Sequence, residues 1–141
     1  MDTKQVEWGL FVGRLVLGAI MFAHGVQKLM NMGGTVNMFQ DMLGLPGFLA
    51  YMTAGIEVLA GLAVILGLYT RISSLLLGFV MVGAIVTVKL PMVGFFGNGQ
   101  MAGWELDLAL LGLSVVLTLS GSRFLAITKE KTKRTSEQLS A

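Results

Sequence analysis

Residues Arg14 to Leu29 read RLVLGAIMFAHGVQKL, a run apolar enough for lipid that nevertheless opens on an arginine, holds the chain's single histidine and ends beside Lys28. A charge at the centre of a bilayer costs about 2.5–3.5 kcal/mol on insertion scales. A span that keeps such residues must turn them toward the inside of a helical bundle, where groups from other spans can meet them. At about 100° per residue, Arg14, His24 and Lys28 fall within an arc of about 80° on one helix. The stretch reads as a membrane helix with a single polar stripe.

Composition agrees. Of 141 residues, 55% are hydrophobic and 13% charged, against roughly 25% charged in an ordinary soluble domain. Mean hydropathy is +0.78. The 19 glycines suit helices whose backbones approach closely in lipid. With no cysteine and one histidine, thiolate metal sites and disulfides are excluded, and bis-histidine haem would need a second chain. No H-E-x-x-H spacing occurs, and Gly94 to Gly99 lacks the lysine that completes a phosphate-binding loop. Neither metal nor haem is therefore expected within one chain.

Four apolar segments, about 9–30, 47–69, 72–90 and 104–127, approach the roughly 20 residues a transmembrane helix needs. The expected fold class is all-α, an integral membrane four-helix bundle filling residues 1–126. Residues 127–141 form a basic tail expected to be disordered and to lie beside anionic lipid rather than nucleic acid. Lys4, Arg71 and the tail carry cations, whereas loops 31–46 and 91–103 carry none. The positive-inside rule then places both termini in the cytoplasm. Ala19 to Ala23 is faintly cleavage-like, but Arg14 interrupts the apolar run and an uncleaved first span is expected.

On this topology most ionisable groups gather toward the outer side. Glu57 falls near the midplane; Lys28 and Lys89 end the first and third spans; Glu105 and Asp107 begin the fourth. Glu105 and Asp107 are two residues apart, about 200° on a helix, so only one can point squarely inward. Glu105 is the expected inward acid, with Trp104 beside it. The pattern Leu15, Leu17, Gly18, Met21, Val26 recurs as Leu75, Leu77, Gly78, Met81, Val86. Both spans run outward, so a parallel duplication is allowed, although biased composition makes such matches common.

Arg14 followed by His24-Gly25-x-x-Lys28-Leu29 is similar to the first span of the DoxX family of small bacterial membrane proteins. Leu45-Pro46, Glu57-x-x-x-Gly61 and Leu66-Gly67-Leu68-Tyr69-Thr70-Arg71 resemble its second span and the loop beyond it. Lys89-Leu90-Pro91, Gly94-Phe95 and Gly103-Trp104-Glu105 resemble its third-span exit and fourth-span entry. The resemblance implies a multi-pass protein of the bacterial plasma membrane. Some members are named as subunits of a thiosulfate:quinone oxidoreductase, and others are linked to redox stress or to catechol and quinone responses. Lys89 stands where the family often has histidine, which further weakens a metal site.

The expected function is a quinone-linked oxidoreductase component with a polar pocket opening outward. Its cofactor or substrate would be menaquinone or ubiquinone. Glu57, His24 and Glu105 would relay protons, and Arg14, Lys28, Lys89, Trp104 and Asp107 would bind the head group. The chain carries no evident electron carrier, so a redox partner subunit or a substrate must supply electrons; the expected partner is such a subunit or, alternatively, a second copy of the chain. Two alternatives use the same residues: a non-catalytic scaffold or accessory subunit held by ion pairs, and a small transporter of phenolic or quinone-like compounds.

Overall fold

The computed structural model describes residues 2–130; the expected disordered tail lies mostly outside them. The described chain is helical: α1 (Thr3–Met30), α2 (Met32–Asn37), α3 (Phe48–Leu66), α4 (Thr70–Ala84), α5 (Leu90–Met92) and α6 (Trp104–Ser120). Two π-helical segments, Met38–Met42 and Ile85–Lys89, come directly after α2 and α4. Thr3–Met30, Phe48–Leu66 and Thr70–Met92 are long and apolar enough to cross a membrane.

Two expectations change. The segment after α1, read as a loop, is largely helical through α2 and its π turn. The last helix ends at Ser120 rather than near Ile127, because Gly121 turns the chain with φ +69°. At 17 residues it is about 26 Å long, shorter than the three helices that are long and apolar enough to cross. Residues after Gly121 fold back against the end of α3: Ile127 N donates to Leu66 O and Thr128 N to Gly67 O.

The distribution of polarity is inverted relative to a soluble protein. Large apolar side chains such as Leu59, Ile72, Val116 and Leu119 point outward, whereas Arg14, Glu57, Thr70, Ser74, Asp107 and Ser114 are buried. An outer surface this apolar is stable against lipid and not against water. Inside, Leu17, Met21, Val64, Leu77, Met81, Leu110 and Leu117 form the apolar core.

α1 packs most extensively on α3, and α4 on α6; smaller contacts join α3 to α4 and α1 to α6. Lipid tails are as apolar as leucine, so close backbone packing must supply the attraction between helices. Glycine makes it available. A Cβ on Gly61 would lie 2.8 Å from Phe22 N, and one on Gly18 would lie 2.7 Å from Gly61 O. In the other pair, a Cβ on Gly78 would lie 2.8 Å from Ser114 Oγ. Gly55, on the same helix as Gly61, has open space there: a Cβ would meet nothing within 4 Å. Gly61→Ala should therefore cost about 1–3 kcal/mol through overpacking, while Gly55→Ala should stay within about 0.5 kcal/mol of the wild type. Unfolding of the purified protein in detergent measures both.

Candidate functional site

The tight crossing of α1 and α3 sets the first element of the site. A Cβ on Gly25 would meet Val58 N at 2.8 Å and Glu57 Cβ at 2.9 Å, so the two helices touch one turn before Lys28. That approach lets Lys28 Nζ donate to Glu57 Oε1, forming an ion pair with a carboxylate only 1% exposed. The second oxygen, Glu57 Oε2, is buried with no hydrogen-bond partner among the described residues. His24 and Asp107 lie within electrostatic reach of the same carboxylate.

The second element lies between α4 and α6. Lys89 closes the π segment Ile85–Lys89, donates to Ala102 O, and stands 3.6 Å from Asp107 Oδ2. The loop before α6 fixes that carbonyl: Trp104 N donates to Gly94 O, Glu105 N to Phe95 O, and Gly97 bridges to Ala102. Asp107, Leu110, Ser114 and Leu117 make up the buried face of α6, a spacing of three and four residues that defines one helical side.

A cavity of about 760 Å³ lies against both elements. His24, Lys28, Asn31, Lys89 and Gln100 supply polar lining, and Leu49, Ile56, Leu76, Phe79 and Val80 supply apolar walls. Thr35, Met38 and Phe39 border it from α2 and its π turn. The structure thus brings His24, Lys28, Glu57, Lys89 and Asp107 into one neighbourhood. Glu57 and Asp107 lie behind their lysines.

Three expected site residues fall elsewhere. Glu105 is exposed and Asp107 is the inward acid; the two share a helix at positions that cannot both face the core, and Lys89 selects the second. Trp104 packs edge-on against Phe95 at 4.6 Å between ring centroids, bracing the loop rather than lining the cavity. Arg14 is 14 residues before Lys28, about 21 Å along the helix. There it is 1% exposed, and donates to Val64 O, Ile65 O, Phe124 O and Leu125 O. The first two carbonyls belong to the last turn of α3, where helix carbonyls lack internal partners and the dipole is negative. Arg14 is a clasp for chain ends at the opposite side of the molecule. Sequence reasoning also missed Gln27 and Thr87, which line the cavity; no charge marks them.

An apolar exterior around buried, paired charges defines a helical membrane protein. Within that class the chain belongs to the DoxX family, whose model matches residues 9–90. It is similar to a Bacillus subtilis (strain 168) protein named "Putative oxidoreductase CatD", with 44% identity over 124 residues, 88% of this chain and 87% of that protein. It is also similar to "Uncharacterized membrane protein Rv3486" of Mycobacterium tuberculosis (strain ATCC 25618 / H37Rv), with 32% identity over 132 residues, 86% of this chain and 80% of that protein. No solved structure matches the chain significantly.

Removing one partner of a buried pair leaves a lone charge, which costs about 3–5 kcal/mol. Lys28→Met should lower stability by that order, and adding Glu57→Gln in the same chain should restore most of it. Arg14→Lys should also destabilise, since an ammonium cannot spread over four carbonyls as a guanidinium does. Thermal unfolding in detergent, with all variants in parallel, reads the three effects.

Proposed function

We propose that this protein is the membrane component of a quinone-linked oxidoreductase, with the cavity beside Lys28 and Lys89 as its head-group site. The observation that carries this reading is a cavity of about 760 Å³ whose walls are mainly apolar and whose polar lining includes two lysines and a histidine. Its size falls within the range of about 300–1,000 Å³ typical of small-molecule sites. A quinone head needs donors at its carbonyl oxygens, a source of protons and an apolar surface for its tail; Lys28, His24 and the Phe79–Val80 wall answer these needs. The name of the Bacillus subtilis relative is consistent with redox work.

In this reading α6 completes a four-helix transmembrane bundle in the bacterial plasma membrane, with both termini cytoplasmic. The pocket opens toward the outer side. Menaquinone or ubiquinone would be the natural ligand; its reduction takes up two electrons and two protons. Electrons come from a redox partner subunit or a reduced substrate. Lys28 Nζ donates a hydrogen bond to a carbonyl oxygen of the ligand, and Glu57 Oε1 holds that ammonium in place. Glu57 Oε2, buried without a partner, is where a proton can be held in reserve. His24 supplies an imidazole on the cavity wall, a side chain that can both donate and accept a hydrogen bond. Asp107 assumes the inward position expected for Glu105.

A second reading has its own observation. Each lysine already has a buried acid, Glu57 or Asp107, within ion-pair distance, as a non-catalytic scaffold would require. Ligand binding separates the two. Purified protein in nanodiscs should bind menaquinone or ubiquinone saturably, and His24→Ala and Glu57→Gln should each weaken binding by about tenfold, the equivalent of ~1.4 kcal/mol. Absence of saturable binding to folded protein would favour the scaffold.

A further inference from the structure

The buried face of α1 comprises Arg14, Leu17, Gly18, Met21 and Gly25, and that of α4 includes Ser74, Leu77, Gly78 and Met81. Arg14, Leu17, Gly18 and Met21 thus map onto Ser74, Leu77, Gly78 and Met81 at a constant offset of 60 residues. Three of the four pairs are identical. The same correspondence extends to partners. Gly18 marks the close crossing on α3, and Gly78 the close crossing on α6. Glu57 and Asp107 then occupy equivalent places, each a buried acid on the second helix of its pair, facing a lysine on the first.

One detail breaks the offset. Lys28 comes ten residues after Gly18, whereas Lys89 comes eleven after Gly78. The π segment Ile85–Lys89 lies between Gly78 and Lys89, and Leu90 N donates to Ile85 O across it. A π turn accommodates one extra residue within a helix, so it absorbs the surplus and returns Lys89 to the direction that Lys28 has on α1. The repeat suspected from sequence becomes a matched pair of helical hairpins, each presenting a lysine backed by an acid.

The two lysines also reach the cavity from opposite sides. α1 packs on α3 and α6, α4 packs on α3 and α6, and α1 and α4 scarcely touch; they stand diagonally. Both lysines nevertheless line one cavity. An ammonium has three donors. Among the described residues Lys28 has one hydrogen-bond acceptor, Glu57 Oε1, and Lys89 has one, Ala102 O, with Asp107 beyond hydrogen-bond length. Each therefore keeps donors for a ligand.

We infer that the cavity holds a ring with two acceptor oxygens at opposite ends, one taken by Lys28 and the other by Lys89, so that its preferred ligands are para-diones rather than compounds with one carbonyl. This rests on the quinone reading above and narrows it. An acceptor at each end satisfies both lysines at once, whereas a single carbonyl leaves one set of donors facing an apolar wall. Unmet donors in such a place are costly.

The test compares two probes on the full chain in nanodiscs: 2-methyl-1,4-naphthoquinone and 1-tetralone, a related fused ring with one carbonyl. Charge-balanced variants keep the fold, because each removes a lysine with its acid: Lys28→Met with Glu57→Gln, and Lys89→Met with Asp107→Asn. Loss of a hydrogen bond from a charged donor corresponds to about tenfold or more in affinity. The dione should bind the wild type at least about tenfold more tightly than the monoketone, and each variant should lose affinity for the dione to a similar degree. Equal affinity for the two probes, or dione binding that depends on one lysine alone, overturns the two-ended site while leaving a quinone site standing. No dione binding to folded wild type removes both readings.

Discussion

A lysine and a glutamate meeting inside an apolar helix pair is the constraint on which the remaining structure depends. Neither Lys28 nor Glu57 would be stable facing hydrocarbon, and each is stable beside the other only if α1 and α3 come close. Gly18, Gly25 and Gly61 provide that closeness. The charge pair and the glycine crossing are therefore one device: the small residues bring the backbones together, and the ion pair fixes the depth at which they cross. The pair of α4 and α6 uses the same logic with Gly78, Lys89 and Asp107.

At the other end of the molecule the problem is solved differently. Arg14 is as buried as Glu57, but its hydrogen bonds go to carbonyls from the end of α3 and from the returning chain at Phe124 and Leu125. Leu125 adopts φ +46°, a conformation unfavourable for a non-glycine residue, and its carbonyl is one of those the guanidinium holds. The two ends differ in consequence. The Arg14 end is held by four hydrogen bonds from one guanidinium; the Lys28 end keeps a carboxylate oxygen and ammonium protons without partners among the described residues, beside a large cavity.

Much of this was legible in the sequence. Apolar length located α1, α3 and α4, and the cost of charges in lipid correctly singled out Lys28, Glu57 and Lys89 as residues needing partners. Helical angle put Arg14 on one stripe with His24 and Lys28, while depth along the span set it toward the opposite half, where the structure has it. The choice between Glu105 and Asp107 turned on the position of Lys89, which a π turn had rotated; hydrophobic periodicity carries no signal for such a turn. The end of α6 was misjudged because Phe124, Leu125 and Ile127 are as apolar as a helix interior, and the break lies in the backbone of Gly121. Of the five recurring pairs, Leu17/Leu77, Gly18/Gly78 and Met21/Met81 proved to be buried on both helices, whereas Leu15, Leu75 and Val86 are exposed.

The central claim is that charged groups from separate helices enclose a hollow reached by water rather than lipid. The chain has no cysteine, so single cysteines can be introduced without background. Thr53→Cys and Thr87→Cys, on the cavity wall, should react with a membrane-impermeant thiol reagent applied outside intact cells, and added quinone should slow the reaction. Leu59→Cys and Leu119→Cys, on the exposed apolar surface, should react slowly and ignore quinone. Labelling that fails to distinguish the wall positions from the surface positions would contradict the account.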